Sequence, residues 1–417
     1  MIYDIAIIGG GASGLMAAVS AADELNFQKR KGQVVVLEGN AKLGKKLLAT
    51  GNGRCNLSNA QLSPRRYHGD TALAAPLLET FDTEYIRNRF ASMGLLTCDD
   101  GEGRIYPYNK QAAAVLRVLE NRAEELGVSC ELGFNAFSVV KSGPFFVIKS
   151  EDGREVRAHK CILASGGLAS PKHSCGCEGY KILRALGHRV TPTYPCLVQL
   201  TCPEKFIKNL AGVRAKAKVR LLSGDKILGE ENGELLFADK ALSGICIFQL
   251  SVYAARFFAA EKKSGKKELQ VRVDFAPDLT EETLLNFLKK HRDSGGGTVG
   301  DFLCGVLNMK IGREIMKLCK ADVLDEAAAL RDADLSFIVE KIKGLTLRVD
   351  GSKGFEDAQI TAGGVPLDEV DLKTFESRKV KGLYICGEVL NIHGDCGGYN
   401  LHFAWVSGLL AGRGAAQ

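Results

Sequence analysis

The sequence predicts an α/β protein in which a parallel-sheet domain is interrupted by an inserted β-rich domain carrying a helical subdomain. Three observations carry this. The chain opens on an apolar strand, Met1-Ile-Tyr-Asp-Ile-Ala-Ile-Ile8, that runs into Gly9-Gly-Gly-Ala-Ser-Gly14 and a small-residue helix from Leu15. Short segments of period-2 alternation then dominate residues 191–278. An apolar strand ending in Gly-acid, Lys381-Gly-Leu-Tyr-Ile-Cys-Gly-Glu388, returns near the end and precedes another small-residue helix.

The first forty residues read strand, helix, strand. Gly9, Gly11 and Gly14 stand at G-x-G-x-x-G spacing, and Glu38 closes the second strand, Val34–Glu38, 24 residues past Gly14. In a dinucleotide site the first glycine permits the tight turn, the second admits the pyrophosphate, and the third lets helix and strand pack closely. The helix N-terminus offers free N–H groups and the positive end of its dipole to phosphates, and the acid accepts from ribose hydroxyls. Residues 41–60 form a Gly/Asn-rich stretch with little periodicity. Helices are expected over Thr83–Met93 and over Gln111–Leu126, the latter with Val115, Leu116, Leu119 and Ala123 on one stripe. Ser129–Leu132, Phe145–Ser150 and Lys160–Ala164 read as strands, expected to form a meander covering one face of the parallel sheet.

From Thr191 prolines punctuate the chain, and Lys216–Leu222, Gly233–Phe237 and Leu269–Phe275 alternate between turn signals, so antiparallel strands are expected. Thr280, followed by Glu281 and Glu282, reads as an N-cap opening a helical stretch to Lys343, with Gly295-Gly-Gly297 as a loop. Leu345–Asp350 returns to strand, and Gly397–Gly408 opens the last helix. The expected domains are 1–190 with 359–417, then 191–278 with 344–358, and the helical subdomain 279–343.

With 46% hydrophobic and 25% charged residues, this is the composition of a soluble globular protein, long enough for two or three domains. The net charge of +6 suits an anionic ligand without arguing for nucleic acid, and the basic run Lys262–Lys267 reads as a solvated loop. No stretch is apolar and long enough to span a membrane. The N-terminal run contains Asp4 and lacks a basic lead, so it does not read as a signal peptide. Thirteen scattered cysteines point to free thiols in a reducing cytoplasm. The close pair Cys175-Gly-Cys177 fits neither zinc knuckles nor a C-x-x-C motif, so a structural role is expected and no metal site.

Three separated segments agree on one ligand: Asp4–Gly14 with Glu38, Thr50-Gly-Asn-Gly-Arg-Cys-Asn56, and Gly387-Glu388 followed by Gly397-Gly-Tyr-Asn400. Together with Thr361-Ala-Gly-Gly-Val365 they resemble the two-dinucleotide-binding-motif flavoproteins, and specifically the BaiN-like (YhiN-like) family of NAD(P)/FAD-dependent oxidoreductases, which includes an aminoacetone oxidase and a 3-dehydro-bile acid reductase. The resemblance covers essentially the whole chain. It implies a Rossmann-like FAD-binding domain with the β-rich insert and helical subdomain, the flavin ring lying at their junction. By position, Gly9, Gly11, Ser13 and Gly14 would bind pyrophosphate, Glu38 the adenosine ribose, and Ala136 the adenine through its backbone. Ala164, Ser165 and Gly166 would line the cofactor, Arg54, Cys55 and Asn56 would border the flavin ring, and Lys46, Thr50, Gly51 and Asn52 would complete that side. Gly387 and Glu388 would hold the ribityl or pyrophosphate region, Asn400 and Leu401 the pyrimidine end, and Thr361 to Gly364 would face the ring. Competing readings stand beside these: Asn52 and Asn56 as turn stabilisers, Cys55 as a small buried hydrophobe.

The flavin would do the difficult chemistry. With no second G-x-G-x-x-G between strands and no C-x-x-x-x-C pair, NADH or NADPH is expected as a transient reductant rather than a resident of its own domain. The leading expectation is hydride transfer to an enone-like carbon, including a steroid or bile acid. Tyr106, His393, Tyr399 and His402 are the candidate acids, although residues of these types are more often packed than catalytic. Asp395-Cys396, in the loop before Gly397, is expected to shape the pocket. The alternatives are an oxygen-dependent amine oxidase of the aminoacetone type and a flavin-binding regulatory or RNA-associated protein. A small-molecule substrate is expected and no nucleic-acid or membrane partner; oligomeric state is not legible.

Overall fold

The computed structural model describes residues 2–173, 178–261, 268–295 and 297–417. The pair Cys175/Cys177, the basic run Lys262–Lys267 and the middle of Gly295–Gly297 therefore lie outside the described residues. The chain divides into two compact units, Met1–Pro195 with Gln359–Gln417, and Cys196–Ala358.

In the first unit one mixed sheet runs, in spatial order, Ser129–Leu132, Val34–Glu38, Ile2–Ile8, Glu155–Leu163, Phe145–Ser150, Ala136–Ser142, with Leu383–Ile385 also paired to Glu155–Leu163. The pairings from Ser129 to Glu155 and that of Leu383 are parallel; the central strand Val34–Glu38 is apolar but for its last residue and buried at every position, as a parallel sheet covered on both faces requires, whereas the edge strand Ser129–Leu132 is largely exposed. The expected meander over one face is corrected here. Glu155–Leu163 is nine residues long, and one edge pairs along Ile2–Ile8. Its other edge is shared: Glu155–Ala158 meets Phe145–Ser150 antiparallel, and Cys161–Leu163 meets Leu383–Ile385 parallel. The meander strands thus extend the same sheet sideways.

The helices Ala12–Phe27 and Tyr399–Ala416 pack backbone against backbone. A Cβ at Gly412 would stand 2.2 Å from the Ala17 carbonyl oxygen, and one at Gly408 would stand 2.3 Å from that of Ser13. The small residues of both helices are what this approach demands. The last helix starts at Tyr399, after the left-handed N-cap Gly398, rather than at Gly397. Helices Thr71–Thr80 and Glu178–Ala185 were not legible in the sequence.

The second unit contains, among the described residues, a seven-stranded antiparallel sheet: Leu345–Val349, Leu269–Asp274, Arg214–Ser223, Lys226–Ala238, Ala241–Ser243, Leu200–Thr201, Gly351–Ser352. The expected N-cap holds: Thr280 Oγ1 accepts from the Thr283 N–H at 3.1 Å and opens Glu281–Asp293. Its helices share one core with the sheet, Leu284, Ile315 and Ile338 joining Val219, Val271 and Leu347. One reading fails: Ile245–Glu261, inside the segment expected to be purely β, is a seventeen-residue helix. Ile245-Cys-Ile-Phe-Gln-Leu-Ser-Val is apolar on nearly every side, so it shows no polar stripe to reveal a helical period. No helix of the described residues is long and apolar enough to cross a membrane.

Candidate functional site

The glycine turn is built as its spacing requires. Gly9 sits at φ +106°, and a Cβ there would stand 2.4 Å from the Ala164 carbonyl oxygen. A Cβ on Gly14 would stand 1.9 Å from the Gly9 carbonyl oxygen. Around a Cβ on Gly11 there is nothing within 4 Å. Gly11 is also the N-cap of Ala12–Phe27 and gives it no side-chain cap, so the first-turn N–H groups remain available. Glu38 is buried at the end of its strand; its carboxylate accepts from the Gly10 N–H at 2.7 Å and from the Asn40 N–H and side-chain amide at 2.7 Å each. The acid therefore fixes the glycine turn as well as facing the cleft beside it.

That cleft, within the first unit, is lined by Gly9, Gly11, Ser13, Glu38, Lys46, Thr50, Ala136, Ala164, Ser165, Gly166, Glu388, Asn400 and Leu401 among the residues expected from the sequence. Segments separated by more than three hundred residues thus meet in one groove. Lys46 Nζ and Glu388 Oε2 pair at 2.7 Å, and Glu388 Oε1 accepts from the Thr361 N–H at 2.8 Å. Thr361 Oγ1 in turn accepts from the N–H groups of Leu168 and Ala169, at 2.7 and 2.9 Å. The sequence did not disclose Phe134, Lys45, His173, Glu178 or Ile182, which also line the groove. The last two ride on the short helix Glu178–Ala185. It comes so close that a Cβ on Gly179 would stand 1.9 Å from Ser165 Oγ; that glycine was the one signal in the sequence.

Gly14, Gly51, Asn52, Arg54, Cys55, Asn56, Gly364 and Gly387 do not line this cleft. Gly14 and Gly387 act behind it: a Cβ at Gly387, at φ +81°, would stand 2.4 Å from Ser13 Oγ. Gly364, at φ +134°, packs against the Val389 carbonyl. From Thr50 the chain leaves the groove through a tight turn with Gly51, Asn52, Gly53 and Cys55 all at positive φ, and Gly51–Arg54 exposed. The Arg54 guanidinium stands over the Tyr106 ring, 5.4 Å from its centroid. Cys55 is fully buried, and burial pushes its thiol up to about 12, against a smaller opposing hydrogen bond from Thr50. It is a thiol, not a thiolate, at neutral pH. In the folded protein Cys55 is expected to resist iodoacetamide while the exposed Cys130 and Cys304 react; mass spectrometry of the alkylated protein checks this, and rapid Cys55 labelling would contradict it.

None of the four candidate acids lines the cleft. His402 is fully buried in the last helix, with Nε2 2.8 Å from the Phe81 carbonyl and Nδ1 2.9 Å from Ser58 Oγ. Burial holds it down to about 4, so it is neutral and serves the core. Tyr399 packs edge-on against Tyr67, whose hydroxyl donates to the Tyr399 carbonyl at 2.9 Å. Tyr106 is buried under Arg54, its hydroxyl pushed up by desolvation. His393 is buried on the strand Ile392–Gly394, its ring 5.4 Å from that of His68.

The groove fits a flavin dinucleotide on two counts. The Gly11 cradle and the uncapped helix N-terminus suit a pyrophosphate. The buried Ser165 Oγ, on the groove wall, has no hydrogen-bond partner among the described residues, and such a group is costly unless a ligand completes it. Outside this cleft, near the start of Tyr399–Ala416, the buried Asn56 Oδ1 is likewise unpartnered among the described residues.

Comparison with known proteins agrees with this architecture. Residues 3–414 match the model of the HI0933-like protein Rossmann domain. The chain is similar to the 3-dehydro-bile acid delta(4,6)-reductase of Clostridium scindens, at 39% identity over 99% of both chains. It is also similar to the ribosomal RNA dihydrouridine synthase of Escherichia coli, at 28% identity over 97% of this chain and 96% of the relative. Among solved structures, 3-ketosteroid delta1-dehydrogenase from Sterolibacterium denitrificans shares the fold at TM-score 0.51 and 14% identity, over all of this chain and 99% of its own. With the whole chain matched and the glycine turn, acid and terminal helix in place, the protein belongs to the HI0933-like Rossmann-domain family.

Proposed function

We propose that this oxidoreductase holds FAD in the groove of the first unit and reduces a carbon–carbon double bond conjugated to a carbonyl, with NADH or NADPH as the transient source of electrons. The observation that carries the cofactor is the glycine turn: an open cradle at Gly11 below an uncapped helix N-terminus, with Glu38 beside it. The bound flavin would supply two-electron hydride chemistry. The chain's own residues would do the rest. The Gly9–Ser13 turn would hold the pyrophosphate, the Lys46–Glu388 pair would set the polar edge of the groove, and the N–H groups at Asn400 and Leu401 would face the ring's electron-rich end.

The relatives' names meet in one reaction class. A 3-oxo steroid skeleton with Δ4,6 double bonds and a uracil ring both place a C=C in conjugation with a C=O. Reduction of either adds a hydride to the far carbon and a proton to the near one. Two observations favour a small hydrophobic substrate over RNA. The 39% relative is the bile acid reductase. Several basic residues on the sheet of the second unit already hold carboxylate partners: Arg214 with Glu234, Lys218 and Arg220 both with Glu230, and Lys216 with Asp278. Paired cations release few counterions to a phosphate backbone.

Anaerobic titration of the flavin band tests the reading. NADH or NADPH is expected to bleach it within seconds, and a steroid enone to restore it without oxygen. A flavin that ignores both nucleotides but is reduced by small amines, with peroxide formed on adding air, would replace the reductase by an amine oxidase. Restoration by uridine-containing ribosomal RNA but by no small enone would replace the substrate class.

A further inference from the structure

At the edge of the groove, lysines from two segments of the first unit gather around one histidine. The Gly44 N–H donates to the Gly10 carbonyl at 2.9 Å, and that bond holds Lys45 and Lys46 beside the glycine turn. Pro171–His173 form a single tight turn, pinned where the His173 N–H donates to the Ser170 carbonyl at 2.9 Å. Lys45, Lys46 and His173 line the groove. Lys45 and Lys172 are exposed and His173 is partly exposed, so all three are open to a ligand.

Burial first, and then the ammoniums of Lys172, Lys45 and Lys46, hold His173 below the ordinary imidazole range. It is therefore neutral at neutral pH and serves as a hydrogen-bond donor rather than a further cation. Of the three lysines, Lys46 is taken by Glu388 at 2.7 Å. Among the described residues Lys45 and Lys172 form no ion pair; Lys45 Nζ donates only to Asn40 Oδ1, at 3.5 Å. Glu178, also on the groove, is taken by Lys181 at 2.7 Å. A cleft edged by one sign of charge focuses its field and gathers ions of the opposite sign.

The anion that suits this edge is a phosphate. The Gly11 cradle meets a diphosphate with backbone N–H groups and a helix end equivalent to about half a positive charge, whereas a diphosphate carries a negative charge on each phosphate. Ammoniums on flexible stems meet phosphate as point charges. The buried Ser165 Oγ, which lines the groove with His173 and has no partner among the described residues, is an independent sign that a ligand comes against this side.

We propose that Lys45 and Lys172, with His173 as a neutral donor, form a second phosphate subsite at the edge of the groove, apart from the glycine turn; this rests on the dinucleotide reading above. Two nucleotides of that reading can bring the phosphate: FAD through its diphosphate, and NADPH, unlike NADH, through its 2′-phosphate. In both cases the lysines act by charge, so the effect is screened by salt.

The test uses the full chain with its flavin, as wild type, Lys45→Gln, Lys172→Gln, the double variant and His173→Leu, with Lys373→Gln as an exposed lysine that does not line the groove. Visible spectrum and melting temperature are recorded first. In one arm FAD release on dilution is followed by flavin fluorescence at low and at high salt. In the other the loaded protein is titrated with adenosine 2′,5′-bisphosphate and with adenosine 5′-monophosphate, and flavin reduction by NADPH is compared with that by NADH. If the subsite holds FAD, each lysine variant is expected to speed release by about 10-fold and the double variant by about 100-fold, with the difference shrinking at high salt. If it holds NADPH, release is unchanged, the bisphosphate binds about 10-fold more weakly to each lysine variant, the monophosphate binds as before, and NADPH loses its advantage over NADH. His173→Leu is expected to lose less than either lysine variant in the same arm, since a neutral donor contributes less than an ammonium. Lysine variants that match wild type in both arms would overturn the subsite. So would equal losses in Lys373→Gln, or losses that follow a lower melting temperature. A wild type that holds no FAD but binds the bisphosphate through Lys45 and Lys172 would sink the flavin reading and keep the subsite. A yellow protein indifferent to both lysines would do the reverse.

Discussion

Gly14→Ala is expected to yield no folded protein, whereas Gly11→Val, three residues earlier, is expected to fold and to come off the column colourless. The two glycines belong to one motif but face different things. A methyl group on Gly14 would stand 1.9 Å from the Gly9 carbonyl oxygen and 3.3 Å from the Ala164 Cβ. Those are backbone and buried core atoms, held by the pairing of Ile2–Ile8 with Glu155–Leu163 and unable to retreat. Overpacking of this kind belongs to the rare class that costs more than about 4 kcal/mol. Gly11, by contrast, has nothing within 4 Å of its would-be Cβ, and its φ of −86° with ψ of −165° suits any L-residue. Valine there fills only the cradle above the helix N-terminus. Circular dichroism and melting should match wild type, while FAD affinity falls at least about 100-fold, or ~2.7 kcal/mol. A yellow Gly11→Val protein would mean that the dinucleotide does not lie on this turn.

The contrast shows which parts of the molecule were legible. The glycine turn, the strand ending in Glu38 and the small-residue terminal helix are local patterns whose physical demands reach only a few residues. Glycine is needed wherever backbone meets backbone, and that need shows in the sequence. The Thr280 N-cap was legible for the same reason. What was not legible depends on long-range placement. Glu155–Leu163 serves three partners because of its length, which no periodicity discloses, and the meander was expected over a face of the sheet when it extends the edge. Ile245–Glu261 is too uniformly apolar to show a period.

Of the residues lining the groove, Gly9 was legible from its spacing, whereas Ala136 and Ser165 came from the family resemblance. Side chains that arrive from unpatterned segments, such as Phe134 and His173, were not legible. The acid candidates show the same limit. His402 was a candidate by residue type, yet its two ring nitrogens are spent on Phe81 and Ser58.

Replacing Glu369 by Gln is expected to lower stability by about 3–5 kcal/mol at neutral pH, the cost of stranding its partners. Glu369 is 4% exposed and joins the segment where the chain leaves the first unit to the segment where it has returned. Arg189 Nε and Lys379 Nζ pair with its Oε1 at 2.7 and 2.9 Å. His188 Nδ1 is 2.7 Å from its Oε2, with the other ring nitrogen 2.9 Å from Ser377 Oγ. Ser377 Oγ already accepts from the Lys379 and Val380 N–H groups, so its own proton is free for His188 Nε2, and the Nδ1–H then donates to Glu369. That requires a neutral imidazole, and burial does lower His188. Burial pushes the Glu369 carboxyl upward, but Arg189, Lys379 and His188 outweigh it and hold the group near about 2.

A carboxyl depressed in the folded state contributes stability above its unfolded value near 4.5, and that contribution is lost as pH falls toward 2. The charge-dependent part amounts to ~3 kcal/mol, which for a unit of this size is about 6–12 °C of Tm. Melting curves of wild type and Glu369→Gln should therefore lie a constant distance apart from neutral pH down to about pH 5 and converge below it. Curves that stayed equally far apart as pH fell through that window would show that Glu369 holds the split domain together by shape and hydrogen bonding, not by its charge.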